Sequence, residues 1–135
     1  MNEIGHWTYS GEEIDIAKMV GFVYIIERIS PTPKFYIGKK IMNFALKRKP
    51  LKGRTNKRRY TKISDWKTYT GSSVDLNEDI KIMEKKNFTF KIIKFCESKL
   101  DLSYLETKLI IESDAIFSDK YYNKWIYVRL KGNKK

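Results

Sequence analysis

The chain predicts a small α/β (α+β) domain in which a mixed or antiparallel three-stranded sheet is flanked by helices. Three observations carry this. The runs at 21–26 and 34–40 are rich in β-branched and aromatic residues, and Ser30-Pro31-Thr32-Pro33 between them is hairpin-turn chemistry. The run at 87–95 alternates, with Phe88, Phe90 and Ile92 on one face, as a third strand would. Two stretches, one opening at Ser72 and one at about Leu102, instead repeat apolar residues at helical spacing. A length of 135 residues accommodates one such domain with a single core.

In order, residues 1–20 read as an N-terminal extension, and 12–19 alternate like an edge strand as readily as they form a short helix. The domain follows over 21–128. Its hairpin ends with Tyr36-Ile37-Gly38, and a glycine at a strand end admits a close backbone or ligand. Pro50 and Gly53 interrupt any regular element in the insertion at 41–64, which reads as a long basic loop or a protruding ribbon. The segment 65–71 reads as a short strand ending at Gly71. Ser72-Ser73-Val74-Asp75 fits a capping pattern, and Leu76, Ile80 and Met83 then form an inward stripe. The second helix, 102–112, turns Leu102, Leu105 and Leu109 inward. A loop with a last short strand over 121–128 and a basic tail at 129–135 complete the chain.

Net charge is +12, and its placement matters more than its size. From Arg28 to Ser64 there are thirteen Lys or Arg and no Asp or Glu, whereas the rest holds fifteen basic residues against sixteen acidic. One local cationic block is the footprint of a polyanion binder. Lys39, Lys47, Lys49, Lys52, Arg54, Lys57, Arg58 and Arg59 are its candidate DNA-binding residues. The bland alternative is a solvated lysine-rich loop, against which stand the arginines and aromatics mixed into the block. No apolar run approaches the roughly 18 residues of a membrane-spanning helix. The acidic start carries no apolar signal region, so a cytoplasmic location is expected. One cysteine, Cys96, reads as a buried thiol, and one histidine, His6, argues against a zinc site.

Glu106 is the first candidate for chemistry. It lies four residues after Leu102 and three before Leu109, on the inward side of its helix, where a carboxylate is costly unless paired or bound to a cation. Ser103-Tyr104-Leu105-Glu106 is equally a capping box, and helix physics alone leaves the two readings level. Tyr24 and Tyr36 lie twelve residues apart across the predicted hairpin and, with their hydroxyls pointing the same way, would make a polar pair beside the basic block; singly, each is an ordinary amphipathic packing residue. Asn123 follows two tyrosines in a loop.

Taken together, Val23-Tyr24, Tyr36-Ile37-Gly38, Gly71-Ser72-Ser73 before a helix, the strand 90–95, Glu106 on a helix and Tyr122-Asn123 resemble the signature of the GIY-YIG endonuclease family. The resemblance spans about residues 21–126. The strings Lys49-Pro50-Leu51-Lys52-Gly53, Lys57-Arg58-Arg59, Ser64-Asp65-Trp66 and Gly71-Ser72-Ser73 are similar to a phage-encoded, homing-endonuclease-like (Seg-like) group. The resemblance implies phosphodiester hydrolysis with one divalent metal. Glu106 would hold Mg²⁺ or Mn²⁺ against the scissile phosphate. Tyr24 and Tyr36 would orient, or help deprotonate, the attacking water, and Asn123 would support the site. A free phenol titrates near about 10, so the tyrosines need a cationic or metal-bound helper.

The sequence departs from the family at its arginine, expected in a helix about ten residues after Tyr-Ile-Gly. Here that stretch holds Arg48 and breaks at Pro50. Arg48 is nearest by spacing and Lys40 nearest to the hairpin, so these two rank as the catalytic cations. His6 precedes the motif and matches no family histidine. The function expected is a metal-dependent DNA endonuclease, homing-type or DNA-degrading, with the site chosen by the basic loop, a homodimer or a protein partner. The alternatives are a non-catalytic nucleic-acid-binding protein on the same fold and a nuclease acting on branched DNA or RNA.

Overall fold

The structure, a computed structural model, describes residues 4–48 and 58–132, with the backbone alone of 44–48 and 58–62. Strands β1 (Gly21–Arg28), β2 (Lys34–Ile41) and β5 (Phe88–Cys96) form an antiparallel sheet in the order β2-β1-β5. Strands β3 (Asn43–Arg48) and β4 (Arg58–Ile63) pair separately as a two-stranded ribbon. Helices α1 (Val74–Met83) and α2 (Lys99–Glu112) complete the regular elements. The three-stranded sheet with two helices is the predicted α/β class, and the insertion is a ribbon at its described ends.

β1 is central and buried on both faces, which is why it reads as a continuous apolar run. On one face Phe22, Tyr24 and Ile26 join Phe88, Phe90, Ile92, Trp7, Trp66 and Leu76. Ile80 and Met83 pack against that cluster from α1, as their spacing predicts. On the other face Val23, Ile37 and Cys96 meet Leu102 and Ile110 of α2, with Leu105 and Leu109 at the margin. The pairing of β1 with β5 shifts between Val23 and Tyr24, so Val23 lies opposite Lys94 and Tyr24 opposite Ile92. That bulge at Ile93 reverses the alternation and returns Phe95 to the face of Phe22.

Several local expectations are corrected. The segment before β1 is no appendage, because Trp7 is buried in the core and its indole N–H donates to the Trp66 carbonyl at 2.6 Å. Thr8 also bridges β5 by exchanging bonds of 2.8 Å with Phe90 O and Ile92 N. The ambiguous stretch 12–19 contains a 3-10 turn, Ile16–Lys18, capped by Asp15. Residues 65–71 form no strand; they make a 3-10 turn, Trp66–Thr68, that sends Trp66 into the core. Helix α1 is capped by Ser73, whose hydroxyl accepts from the Leu76 amide, one residue later than the predicted start. Helix α2 starts three residues early, with Ser98 as its cap, so Ser103 lies inside the helix and the capping-box reading of Glu106 fails. Residues 121–128 hold a single bridge, Phe35 to Tyr121, and no strand.

The ribbon is pinned at its base. Met42 is buried, its amide donates to Val20 O at 2.8 Å, and its carbonyl accepts from the Ser64 amide at 2.8 Å. Trp7→Ala is expected to destabilise the domain by about 3–5 kcal/mol, the usual loss for emptying a buried aromatic site. Urea unfolding checks it, and an unchanged midpoint would make residues 4–20 the appendage the sequence suggests.

Candidate active site

The site grows from the outer edge of β2. An edge strand leaves alternate amides and carbonyls without a partner strand. Phe35 is satisfied by main chain, donating to Lys120 O at 2.8 Å and accepting from the Tyr122 amide at 2.7 Å. Two residues on, the Asn123 side chain does the work of a strand. Its Oδ1 accepts from the Ile37 amide at 3.0 Å, and its Nδ2 donates to the Ile37 carbonyl at 2.8 Å. Two residues further, the Lys39 main chain and ammonium both act on the Glu106 carboxylate. The Lys39 ammonium also donates to Ser103 Oγ at 2.7 Å.

The tyrosines come from the other face. Tyr24 lies opposite Gly38 and Ile26 opposite Tyr36, so the two phenols are diagonal neighbours with ring centroids 6.2 Å apart. Gly38 makes the arrangement possible, since a Cβ there would stand 2.4 Å from Tyr24 Oη and 3.0 Å from Tyr36 Cε2. Gly38 lies within β2, not at its end, and what comes close to it is a phenol. Gly71, at φ +87°, closes over the same pair: its Cβ would lie 3.3 Å from Tyr24 Oη and 3.2 Å from Tyr36 Cε2. Tyr36 Oη shares a hydrogen bond of 3.0 Å with Ser72 Oγ.

Tyr24, Tyr36, Lys39, Glu106 and Asn123 line one cleft of about 230 Å³, together with Ser72 and Trp125. Burial pushes the Tyr24 hydroxyl well above the usual phenol range, and Tyr36, Tyr69 and Glu106 push it the same way. Tyr36 is raised by burial too, with the Ser72 hydroxyl pulling it partly back. Burial also raises the Glu106 carboxyl above its usual range, opposed by the Lys39 ammonium and main chain. The resting cleft therefore holds two neutral phenols and one carboxylate short of positive charge. Among the described residues no group of three or more His, Cys, Asp or Glu is assembled to hold a metal. One half-buried, undercompensated carboxylate fits a hard cation that takes its other ligands from water and phosphate.

The family model described as "Putative endonuclease segE, GIY-YIG domain" matches residues 7–126. The chain belongs to this GIY-YIG endonuclease family. Its sheet and two helices are consistent with the GIY-YIG nuclease fold, and the match begins at the buried Trp7. No curated protein matches the chain, and neither does any solved structure. No described helix is long and apolar enough to cross a membrane.

On this GIY-YIG scaffold the structure gathers Tyr24, Tyr36, Glu106 and Asn123 as grouped in sequence, with Asn123 in the role of edge clamp. Lys39, expected among the DNA-binding residues, instead lines the cleft. Lys40 stands one step away: its ammonium lies 3.9 Å from the Tyr69 ring centroid and 2.9 Å from Asp65 Oδ1. Arg48 ends β3 opposite Arg58, at the end of the ribbon away from its pinned base, and Lys47 lies opposite Arg59. Lys49, Lys52, Arg54 and Lys57 lie outside the described residues.

Sequence reasoning missed Tyr69 and the place of His6. The Tyr69 ring sits edge-on to Tyr24 at 6.2 Å, and its carbonyl accepts from His6 Nε2 at 2.9 Å. Because a carbonyl only accepts, His6 carries its proton on Nε2, and the buried Nδ1 is left without a partner. The usable signal for Tyr69 was its position two residues before Gly71, a glycine already suspect in the motif.

Two outcomes follow for the site. Gly38→Ala should lose about 1–3 kcal/mol of stability by overpacking, as read from the thermal midpoint, with the Tyr24 ring displaced. Glu106→Gln should be more stable than the parent near neutral pH in chelator. A carboxyl raised on folding favours its protonated form, so ionisation above the folded value opposes folding, whereas below the unfolded value both proteins are neutral there and the gain vanishes. Urea midpoints across pH check this, and a gain that grows toward acid pH contradicts it.

Proposed function

We propose that this member of the family is a metal-dependent DNA endonuclease that hydrolyses phosphodiester bonds, as the phage-encoded, homing-type or DNA-degrading members are expected to be. The observation that supports it best is the single cleft shared by Tyr24, Tyr36, Lys39 and Glu106. In the reaction a water adds to phosphorus and one P–O ester bond breaks. Glu106 would hold the Mg²⁺ or Mn²⁺, which when bound neutralises charge on the phosphate and relieves the carboxylate's burial. Tyr36, joined to Ser72, orients the attacking water. Tyr24, the more strongly held in its neutral form, donates a hydrogen bond and fixes the phosphate side of the cleft. Neither phenol is ionised at neutral pH, so Tyr36 can take the water's proton only in concert with passing its own phenolic proton to Ser72 Oγ, which releases one to solvent.

Lys39 supplies fixed positive charge beside Glu106, in the place where the sequence suggested Arg48 or Lys40. The ribbon carries Lys47, Arg48, Arg58 and Arg59 in two like-charged register pairs. Like charges directly opposite oppose pairing, and a polyanion relieves them. On this reading the ribbon tracks the phosphate backbone in the cytoplasm, giving salt-dependent affinity of low sequence selectivity.

Cleavage of supercoiled plasmid in Mg²⁺ or Mn²⁺ tests the proposal. Glu106→Ala should abolish nicking while circular dichroism shows an intact fold, and Tyr36→Phe should slow it by about 10²-fold or more. Nicking by Glu106→Ala at the parent rate would remove Glu106 from the reaction. Affinity without cleavage in either metal would leave the non-catalytic binding protein as the answer.

A further inference from the structure

Beyond the cleft lies a feature that phosphate hydrolysis does not use. Trp125 lines the cleft and also an adjoining pocket of about 150 Å³, which it shares with Tyr36, Ser72, Val74, Asp75 and Lys124. Trp125 is 70 % exposed, Val74 71 % and Tyr127, on the cleft side, 92 %. None of the three serves the core, yet Trp125 and Tyr127 border the proposed phosphate site and Val74 the pocket beside it. Indole and phenol faces held open beside a phosphate site are what an unpaired base stacks on.

The pocket's remaining walls fit the same ligand. Val74 offers a second apolar wall. The Ser72 hydroxyl and the Asp75–Lys124 ion pair supply polar groups in the same pocket. At about 150 Å³ the pocket is on the scale of a single planar ring system. Because Tyr36, Ser72 and Asn123 line both cavities, a base in one is one nucleotide's reach from a phosphate in the other. In a duplex both faces of each base are covered by neighbours, so a base reaches such a pocket only when unpaired or flipped out.

We propose that this pocket is a stacking site for a single unpaired DNA base, so that the preferred substrate carries an unpaired nucleotide next to the scissile phosphate. The inference rests on the endonuclease reading for its geometry but not for its test. Of the three tryptophans, Trp7 and Trp66 are buried, so quenching of tryptophan emission by DNA reports Trp125.

In chelator, a short single-stranded oligonucleotide should quench that emission and a duplex of the same sequence should not. Trp125→Ala should abolish the quench and reduce the preference for single strand over duplex, measured by anisotropy of labelled DNA, by about tenfold. Trp125→Phe should keep the preference. In Mg²⁺ the parent should cut duplexes bearing a bulge or flap faster than fully paired ones, and Trp125→Ala should lose that difference. Equal quenching by duplex and single strand, or a preference unchanged in Trp125→Ala, overturns the stacking site even if plasmid is nicked. Quenching that survives in Glu106→Gln while the parent cuts nothing supports the stacking site and overturns only the nuclease reading.

Discussion

The constraint on which the site depends is the unpaired outer edge of β2. A sheet of three strands has two edges, and each presents backbone groups that cannot be left dry and bare. The β5 edge is met by Thr8. The β2 edge is met in sequence by the main chain around Tyr122 and by the Asn123 amide, and beyond them the Lys39 ammonium reaches Ser103 of α2. Solving this one problem brings the C-terminal segment to the strand whose Lys39 side chain reaches helix α2. Asn123 is thus placed by edge capping, since both ends of its amide are spent on Ile37.

The same edge explains how groups from opposite faces can share a cleft. Tyr24 and Tyr36 belong to the face covered by Trp7, Trp66 and Leu76, whereas Glu106 arrives with α2 on the other. Across β1 the two faces are sealed from each other by a double layer of buried side chains. Only at the last strand can they meet around the rim, and there Gly38 leaves the gap that the Tyr24 phenol fills. A larger residue at position 38 would keep the sheet and lose the meeting point.

Much of this was legible in the sequence, and the losses have physical causes. The hairpin, the strand at 87–95 and the inward stripe of α1 could be read because periodicity and turn chemistry agree there. Glu106 was visible as an inward carboxylate, but only the position of the Ser98 cap decides against the capping box. The segment 65–71 misled because aromatic and threonine content mimics a strand when its task is to deliver one tryptophan to the core. Lys40 and Arg48 were chosen by distance along the chain, which loses meaning once Met42 turns the backbone into a separate ribbon. Parity would have served better. Lys39 shares its face with Ile37 and hence with α2, so alternation alone placed it nearer Glu106 than Lys40 could be.

The distribution of charge then separates attraction from chemistry. Among the described residues the cleft is lined by one ammonium, Lys39, and one carboxylate, Glu106, with the phenols held neutral by burial. Such a cleft exerts little net pull on a polyanion. The pull resides in the ribbon, where cationic residues face one another in register and the sequence allows no acidic residue to offset them. Long-range attraction acting through a ribbon pinned at Met42 can concentrate nucleic acid near the cleft without filling the cleft with positive charge. A second cation inside would add to the lowering that Lys39 already exerts on the Glu106 carboxyl, offsetting the burial that leaves the carboxylate short of positive charge. On the proposed reading, cations on the ribbon attract the nucleic acid while the desolvated carboxylate stays in the cleft, and the pinned ribbon base at Met42 joins the two.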